Sequence, residues 1–166
     1  MLRETDVQVR EACGRDPDMC IVPVGVGSVA QAVVAHYCAR DPAIRSITVE
    51  PEAAACLMES LHHGEIVPIS TGETIMPGMN CGTVSSLAWP ILEHGVHTTV
   101  AVRDTDSHEC VGYLTTQSIN AGPCAAATLA AARLLRQAGM LGKEPDTVLV
   151  FFSTEGTRQY ELPPRT

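Results

Sequence analysis

The sequence has little lysine, few aromatic residues and no long apolar run. Lys143 is the one lysine among 166 residues, and aromatic side chains make up 4% of the chain. No window approaches the roughly 18 apolar residues that a membrane-spanning helix needs, and the polar start lacks the apolar core of a signal peptide. We therefore expect a cytoplasmic protein with no membrane partner.

Basic charge is scarce as well. The 11 Lys and Arg residues are outnumbered by 19 Asp and Glu, which leaves a formal net charge of −8. Nucleic acids are bound by clustered basic side chains, whereas the basic residues here are spread thinly along the chain. We expect no nucleic-acid partner.

The metal-binding and nucleophile motifs of common enzymes are missing too. Seven cysteines and six histidines are scattered without a CxxC or HExxH pattern, and no GxSxG segment occurs. The pattern predicts reduced thiols and no metal site.

What is present is an alternation of strand and helix patterns. Apolar, β-branched runs at 21–26, 46–50, 98–103 and 147–152 alternate with helical stretches at 28–40, 52–63, 105–119 and 123–138. Pro90 should end or kink any helix within 80–93, and the Gly/Pro-rich segment 68–82 indicates a working or mobile loop. The alternation predicts one domain over 1–166, an α/β three-layer sandwich with a mostly parallel sheet.

The clearest local signal is the turn after the first predicted strand. Gly25 and Gly27 precede a helix that starts at Ser28, and backbone N–H groups at such a helix end attract anions. The spacing through Ala30 also fits a dinucleotide fingerprint, with Glu50 where a ribose-binding acid is expected. A dinucleotide, the phosphate of pyridoxal phosphate, and a turn without a ligand all remain open at this point.

Five longer segments extend the pattern beyond this turn. They are VGVGSVAQAVVAHY (24–37), TVEPEAAACLMESL (48–61), TGETIMPGMNCGTVSSLAWPIL (71–92), AGPCAAATLAA (121–131) and STEGT (153–157). Together they resemble the C-terminal part of fold type II enzymes that depend on pyridoxal phosphate (PLP). This is the tryptophan synthase β-like group, and the nearest resemblance within it is to the diaminopropionate ammonia-lyases.

The resemblance implies a set of site residues. Those implied to bind the cofactor are Gly25, Val26, Gly27, Ser28, Val29 and Cys124. Those implied to line the ligand pocket are Thr74, Met76, Asn80, Cys81, Thr154 and Glu155. Cys124 would face the pyridine nitrogen, where a neutral thiol leaves the ring unprotonated, as suits an elimination enzyme. Ala125 departs from the glycine that the family commonly has next, and its methyl group would crowd the ring.

One part of the family pattern has no match. The family carries its Schiff-base lysine in an N-terminal segment, together with a small domain, and the resemblance begins after both. Lys143 has no motif around it, so we expect it to be a solvated surface residue. A PLP enzyme needs a lysine amine to hold the aldehyde and to move the α-proton.

We therefore expect a truncated, lysine-less derivative of an ammonia-lyase, with PLP bound non-covalently or lost. It would be catalytically silent or repurposed to PLP-independent chemistry on a small metabolite. Three alternatives stay open. They are a fragment or subunit of an active lyase, a regulatory module that pairs with an intact homologue, and a dinucleotide-binding enzyme. Surface that the family covers with its N-terminal part favours a homo-oligomer.

Overall fold

Four parallel strands form the sheet of this protein. The computed structural model describes residues 1–141 and 146–164, so Lys143 lies outside the described residues. The strands are β1 (Met19–Pro23), β2 (Arg45–Pro51), β3 (Val96–Val102) and β4 (Leu149–Phe151). Their order is β3-β2-β1-β4, and each pairing is parallel. The α/β class and the parallel sheet that the sequence predicts are confirmed.

Six helices belong to the described part of the chain. They are α1 (Leu2–Cys13), α2 (Ser28–Cys38), α3 (Cys56–His63), α4 (Trp89–Gly95), α5 (Asp104–Thr116) and α6 (Pro123–Gln137). Short 3₁₀ turns occupy Glu52–Ala54 and Pro77–Met79. Within the described ranges, no helix combines the length and the apolar character needed to cross a bilayer.

Two hydrophobic clusters, one on each face of the sheet, give the three layers. Along β1 the buried side chains alternate, with Met19 and Ile21 on the α6 face and Cys20 and Val22 on the α2 face. Side chains that alternate along a strand point to opposite faces, so β1 supports both clusters. The small residues of α6, among them Ala126 and Ala130, are almost fully buried and let this helix approach the sheet closely.

Helix α1 has no counterpart among the predicted elements. Its residues are mostly polar, so the sequence shows too few apolar positions for a helical stripe. Leu2 and Val9 nevertheless pack against the cluster on the α2 face, and the buried polar contact of α1 is ionic. Asp6 accepts a hydrogen bond from Arg40 and lies 2.8 Å from His36 Nε2, which ties α1 to α2.

The expectation for Pro90 is wrong. Pro90 neither ends nor kinks a helix but lies in the first turn of α4, which begins at Trp89. The N–H groups in the first turn of a helix have no acceptor within the helix, so a proline there, which has no N–H group, costs no hydrogen bond.

The segment 68–82 is a packed loop. Met76 and Met79 are buried in the core, and the Asp104 carboxylate accepts hydrogen bonds from the Thr74 hydroxyl and the Ile75 N–H. Arg158 donates to the Ile75 carbonyl from the other side. These contacts hold the loop at the carboxyl edge of the sheet.

Glu50 has a structural role rather than the predicted ribose-binding one. Its side chain is fully buried, and its two carboxylate oxygens accept hydrogen bonds from the N–H groups of Leu57 (2.7 Å) and Met58 (2.8 Å). The carboxylate therefore caps the start of α3 and is not available to a ligand, which removes the acid on which the dinucleotide interpretation depends.

We predict that Asp6→Asn lowers the free energy of unfolding by about 2 kcal/mol, because Arg40 and His36 lose a largely buried anionic partner. Urea denaturation measures this change. Glu4→Gln, on the exposed part of the same helix, is the control and should change stability far less. Equal losses in the two variants would contradict the role of Asp6.

A second prediction concerns the pH dependence of stability. Burial raises the pKa of Glu50 to about 7, although hydrogen bonds from Leu57 and Met58 act in the opposite sense. Between about pH 4.5 and 7 the folded state keeps a proton that the unfolded state has released, so stability falls as pH rises, by roughly 3 kcal/mol across this range. Glu50→Gln should flatten that slope in denaturation curves, and Glu52→Gln, at an exposed neighbour, should keep it.

Candidate functional site

A cavity of about 300 Å³ opens where strands β1 and β4 end. It is lined by Pro23, Gly25, Val26, Gly27, Ser28, Val29, Gly78, Met79, Cys124, Thr154 and Glu155. Ligands of open α/β sheets bind at this carboxyl edge, and the volume suits a small molecule. The structure therefore places a candidate site at the end of β1.

The glycine turn is shaped by close packing. Gly27 has φ +101°, a left-handed conformation that side chains rarely adopt, and a Cβ atom there would lie 2.8 Å from Leu92 Cδ1. A Cβ atom on Gly25 would lie 2.8 Å from the Gly78 carbonyl oxygen. Both glycines are required by the path of the chain, so their presence alone does not demonstrate a ligand.

The start of α2 has no internal anion. The first helical hydrogen bond runs from Gln31 N to the Gly27 oxygen (2.7 Å), so the N–H groups of Ser28 and Val29 precede the hydrogen-bond ladder. No side chain caps this end, and its first turn holds no acid.

Three other helix starts contrast with it. Glu50 caps α3, Asp106 lies in the first turn of α5, and Glu155 accepts a hydrogen bond at the start of α6. Each of those positive helix ends has a carboxylate from the chain itself, whereas the start of α2 can accept an anionic group of a ligand.

Cys124 and Glu155 meet at the start of α6. The Glu155 Oε2 atom accepts a hydrogen bond from the Cys124 N–H (2.8 Å), and Oε1 accepts one from Arg158 Nε (2.8 Å). Burial, and next the charge of Glu155, raise the pKa of the Cys124 thiol to about 11. The thiol is therefore protonated at neutral pH and acts as a weak hydrogen-bond donor.

Gly78 connects the two ends of the cavity. Its carbonyl oxygen borders Gly25, and a Cβ atom on Gly78 would lie 3.4 Å from Cys124 Sγ. The packed loop thus forms a wall between the start of α2 and the start of α6.

The structure brings together the six predicted cofactor residues and two of the predicted pocket residues. Gly25, Val26, Gly27, Ser28, Val29, Cys124, Thr154 and Glu155 all line the same cavity. That these residues bind a cofactor stays a prediction. Ala125 is buried and is not among the lining residues, so its methyl group does not crowd the cavity.

The other four predicted pocket residues lie elsewhere. Thr74 and Asn80 line a second cavity, of about 1070 Å³, at the ends of β2 and β3. Met76 lines neither cavity, and its side chain is fully buried in the core, so its role in a pocket stays a prediction. Cys81 lines neither cavity, since its sulfur packs beside Gly25.

The sequence-based prediction missed some of the residues that line or support the cavity. Gly78 and Met79 follow Pro77, and this Pro-Gly turn could have marked a chain reversal near a site. Arg158, which holds Glu155, lies beyond the motifs and could be found only from the fold. Over 1–141 and 146–164, no group of three or more His, Cys, Asp or Glu side chains could hold a metal ion.

Comparison with known proteins places this geometry in a family. Residues 3–154 match the family model described as a pyridoxal-phosphate dependent enzyme. Diaminopropionate ammonia-lyase from Escherichia coli strain K12 is 32% identical over 103 residues, which are 59% of this chain and 25% of that protein.

Solved structures agree with the sequence match. Diaminopropionate ammonia-lyase from Escherichia coli in complex with D-serine aligns with a TM-score of 0.78 and 25% identity, covering 93% of this chain and 42% of the other. The threonine deaminase of T.th. aligns with a TM-score of 0.79 and 25% identity, covering 93% and 54%. Maize serine racemase, at 22% identity, shares the fold with a TM-score of 0.81, and the alignment covers 94% of this chain and 48% of the other.

The chain spans about a quarter of the curated relative and about half of these solved chains. The matched residues cover most of its own length and include the glycine turn, the packed loop and the start of α6. This chain therefore belongs to the family of pyridoxal-phosphate dependent enzymes, with the fold type II architecture.

Proposed function

We propose that this chain binds pyridoxal phosphate non-covalently in the 300 Å³ cavity, with the phosphate at the start of α2 and the ring nitrogen toward Cys124. One observation carries the proposal: a single cavity joins a helix start without an internal anion to a helix start that presents a protonated thiol. A phosphorylated pyridine has complementary groups at its two ends.

The phosphate end is supported by the donors at the start of α2. The backbone N–H groups of Gly27, Ser28 and Val29 lie outside the helical ladder, and the exposed Ser28 side chain adds a hydroxyl donor. The helix dipole favours negative charge at the same place. Neither the turn nor the first helical turn contains an acid that would repel a phosphate.

The ring end is supported by a protonated thiol and by a glycine beside it. Cys124 offers a thiol that stays protonated at neutral pH, and Gly78 leaves room beside it because it has no side chain. The packed loop holds this wall in place through the contacts of Asp104 and Arg158. The cavity thus has a rigid surface for a flat ring.

The chemistry of the family requires an amine that these residues do not supply. Pyridoxal phosphate provides an electron sink that stabilises a carbanion at Cα of an amino acid. No lysine occurs within 1–141 or 146–164. We propose that the chain by itself is a derivative of an ammonia-lyase without the Schiff-base lysine of the family, and that it holds the group without catalysing ammonia loss.

We predict that Ser28→Asp weakens binding of pyridoxine 5′-phosphate by at least about tenfold, because the new carboxylate would lie beside the phosphate. Isothermal titration calorimetry measures this change. The helix dipole stabilises an acid in the first turn, so the melting temperature of the Ser28→Asp variant should stay the same or rise.

Ser28→Asn is the matched control, since asparagine has nearly the same size as aspartate and carries no charge. Its affinity should remain within about threefold of the wild-type value, well below one tenfold step of 1.4 kcal/mol. Equal affinity for the Asp and Asn variants would show that the phosphate does not bind at the start of α2.

We predict that binding of pyridoxal phosphate leaves no covalent trace. After one equivalent is added and reduced with borohydride, intact mass spectrometry should show the unmodified chain. Lys143→Arg is the control, because Lys143 carries the one lysine amine of the sequence. A pyridoxyl adduct on the wild-type chain that disappears in Lys143→Arg would contradict non-covalent binding.

A further inference from the structure

The cavity of about 1070 Å³ at the ends of β2 and β3, which we call the larger cavity, has no part in the proposed function. Among the described residues it shares no lining residue with the 300 Å³ cavity. The packed loop contributes to both, with Pro77 in the larger cavity and Gly78 in the smaller one. Clefts of this size hold small organic molecules, so the larger cavity is a separate candidate site.

Acidic side chains without a partner line the larger cavity. Glu52, Glu73 and Glu161 belong to the lining and are exposed, and in the described part of the chain their carboxylates make no hydrogen bond or ion pair. Asp104 is a fourth acid of the lining, and its carboxylate bonds only uncharged groups of the packed loop. Four negative charges from separate parts of the sequence therefore meet around one cavity.

The two arginines of the lining are already paired with other acids. Arg103 donates two hydrogen bonds to Asp106, from Nε at 3.0 Å and from Nη2 at 2.7 Å, and Arg158 Nε donates to Glu155 at 2.8 Å. Asp106 and Glu155 do not belong to the lining of the larger cavity. The acids of the lining thus keep an excess of negative charge, which favours a cationic ligand.

Two buried polar atoms of lining residues also lack a partner. The Asn80 side chain donates from Nδ2 to the Gly72 carbonyl (3.1 Å), which fixes Oδ1 as the other end of the amide. Within the described residues, neither Asn80 Oδ1 nor the Thr105 hydroxyl, both buried, has a hydrogen-bond partner. A buried acceptor without a donor costs free energy, and a ligand with N–H groups would supply the donor. This observation is independent of the acids and indicates the same kind of ligand.

The acids do not converge as metal ligands do. Across the described ranges, no group of three or more His, Cys, Asp or Glu side chains could hold a metal ion. The lining also includes apolar side chains, among them Ile75, Val102 and Leu162. Separate carboxylates together with apolar surface complement a chain of methylene groups that carries ammonium groups at intervals.

We propose that the larger cavity is a binding site for an aliphatic polyamine. Its ammonium groups pair with Glu52, Glu73 and Glu161, its methylene groups lie against the apolar side chains, and its N–H groups reach Asn80 Oδ1 and the Thr105 hydroxyl. The two cavities have different linings, so this inference does not depend on the proposed function.

Isothermal titration calorimetry of the intact chain with spermidine tests the site, since the ammonium groups of this probe are spaced along an aliphatic chain. The wild-type chain should bind it saturably. The triple variant Glu52→Gln, Glu73→Gln and Glu161→Gln should weaken the affinity by at least about tenfold, because each substitution removes an ion pair with the ligand. The melting temperature should change little, because these side chains are exposed and have no partner in the described part of the free chain.

The matched control replaces Glu4, Glu11 and Glu65 by Gln, three acids that are also exposed and lie outside the lining. Both triple variants remove three negative charges from a net charge of −8, so they weaken the general attraction of a cation equally. The control should keep the affinity within about threefold of the wild-type value. Equal weakening in the two triple variants would overturn the proposal.

Thr105→Val tests whether the ligand enters the cavity. This substitution removes the unpartnered hydroxyl and nearly keeps the shape of the side chain, so the melting temperature should stay the same or rise. The affinity for spermidine should fall by about threefold or more, because the ligand loses an acceptor. Unchanged affinity would show that spermidine stays at the surface, which would overturn the proposal.

Titration with Mg²⁺ separates a polyamine site from a site for a compact cation. The wild-type chain should show no saturable binding of Mg²⁺ in the range where spermidine binds. Binding of Mg²⁺ as tight as that of spermidine, or no saturable binding of spermidine at all, would overturn the proposal. Either result would leave the proposed binding of pyridoxal phosphate in the 300 Å³ cavity untouched.

Discussion

The start of α2 is the constraint on which the site depends. The left-handed conformation of Gly27 turns the chain from β1 into the helix, and Leu92 leaves no room for a side chain there. The same turn exposes N–H groups that the helix cannot satisfy. At α3, α5 and α6 the chain places its own carboxylate at the corresponding position, and at α2 it does not. The start of α2 can therefore receive an external anion.

The second element of the site follows from the arrangement of the packed loop. Asp104 and Arg158 hold the loop from opposite sides, and Gly78 then separates the glycine turn from Cys124. Cys124 and Glu155 come from α6 and from the segment after β4, which meet because β4 pairs with β1. The cavity between the starts of α2 and α6 results from this meeting. Cys124 and the packed loop belong to the stretch that matches the family of pyridoxal-phosphate dependent enzymes.

Patterns local in sequence predicted much of this structure. The strands have β-branched apolar runs, and the glycine turn indicates a strand-to-helix transition, so the sheet and the start of α2 could be derived from the chain. Helix α1 could not, because its packing joins two apolar residues, Leu2 and Val9, to an ion pair between Asp6 and residues thirty or more positions away. Glu50 had the spacing of a ribose-binding acid, yet the start of α3 uses it as a cap. Spacing alone does not say which partner an acid meets.

The remaining site residues show the same limit. Thr74, Met76, Asn80 and Cys81 are close in sequence, but the 3₁₀ turn within them sends two side chains to the larger cavity and one into the core. Arg158 carries no motif and acts only through the position that the fold gives it. Local pattern could therefore locate the start of α2, and the family resemblance located Cys124, Thr154 and Glu155, while Gly78, Met79 and Arg158 needed the tertiary structure.

The most direct measurement of the central claim is a crystal structure of the chain with pyridoxine 5′-phosphate. The account predicts phosphate oxygens within hydrogen-bond distance of the N–H groups of Gly27, Ser28 and Val29, with the ring beside Gly78 and its nitrogen toward Cys124. A phosphate bound elsewhere, or a ring with its nitrogen turned away from the start of α6, would contradict the account.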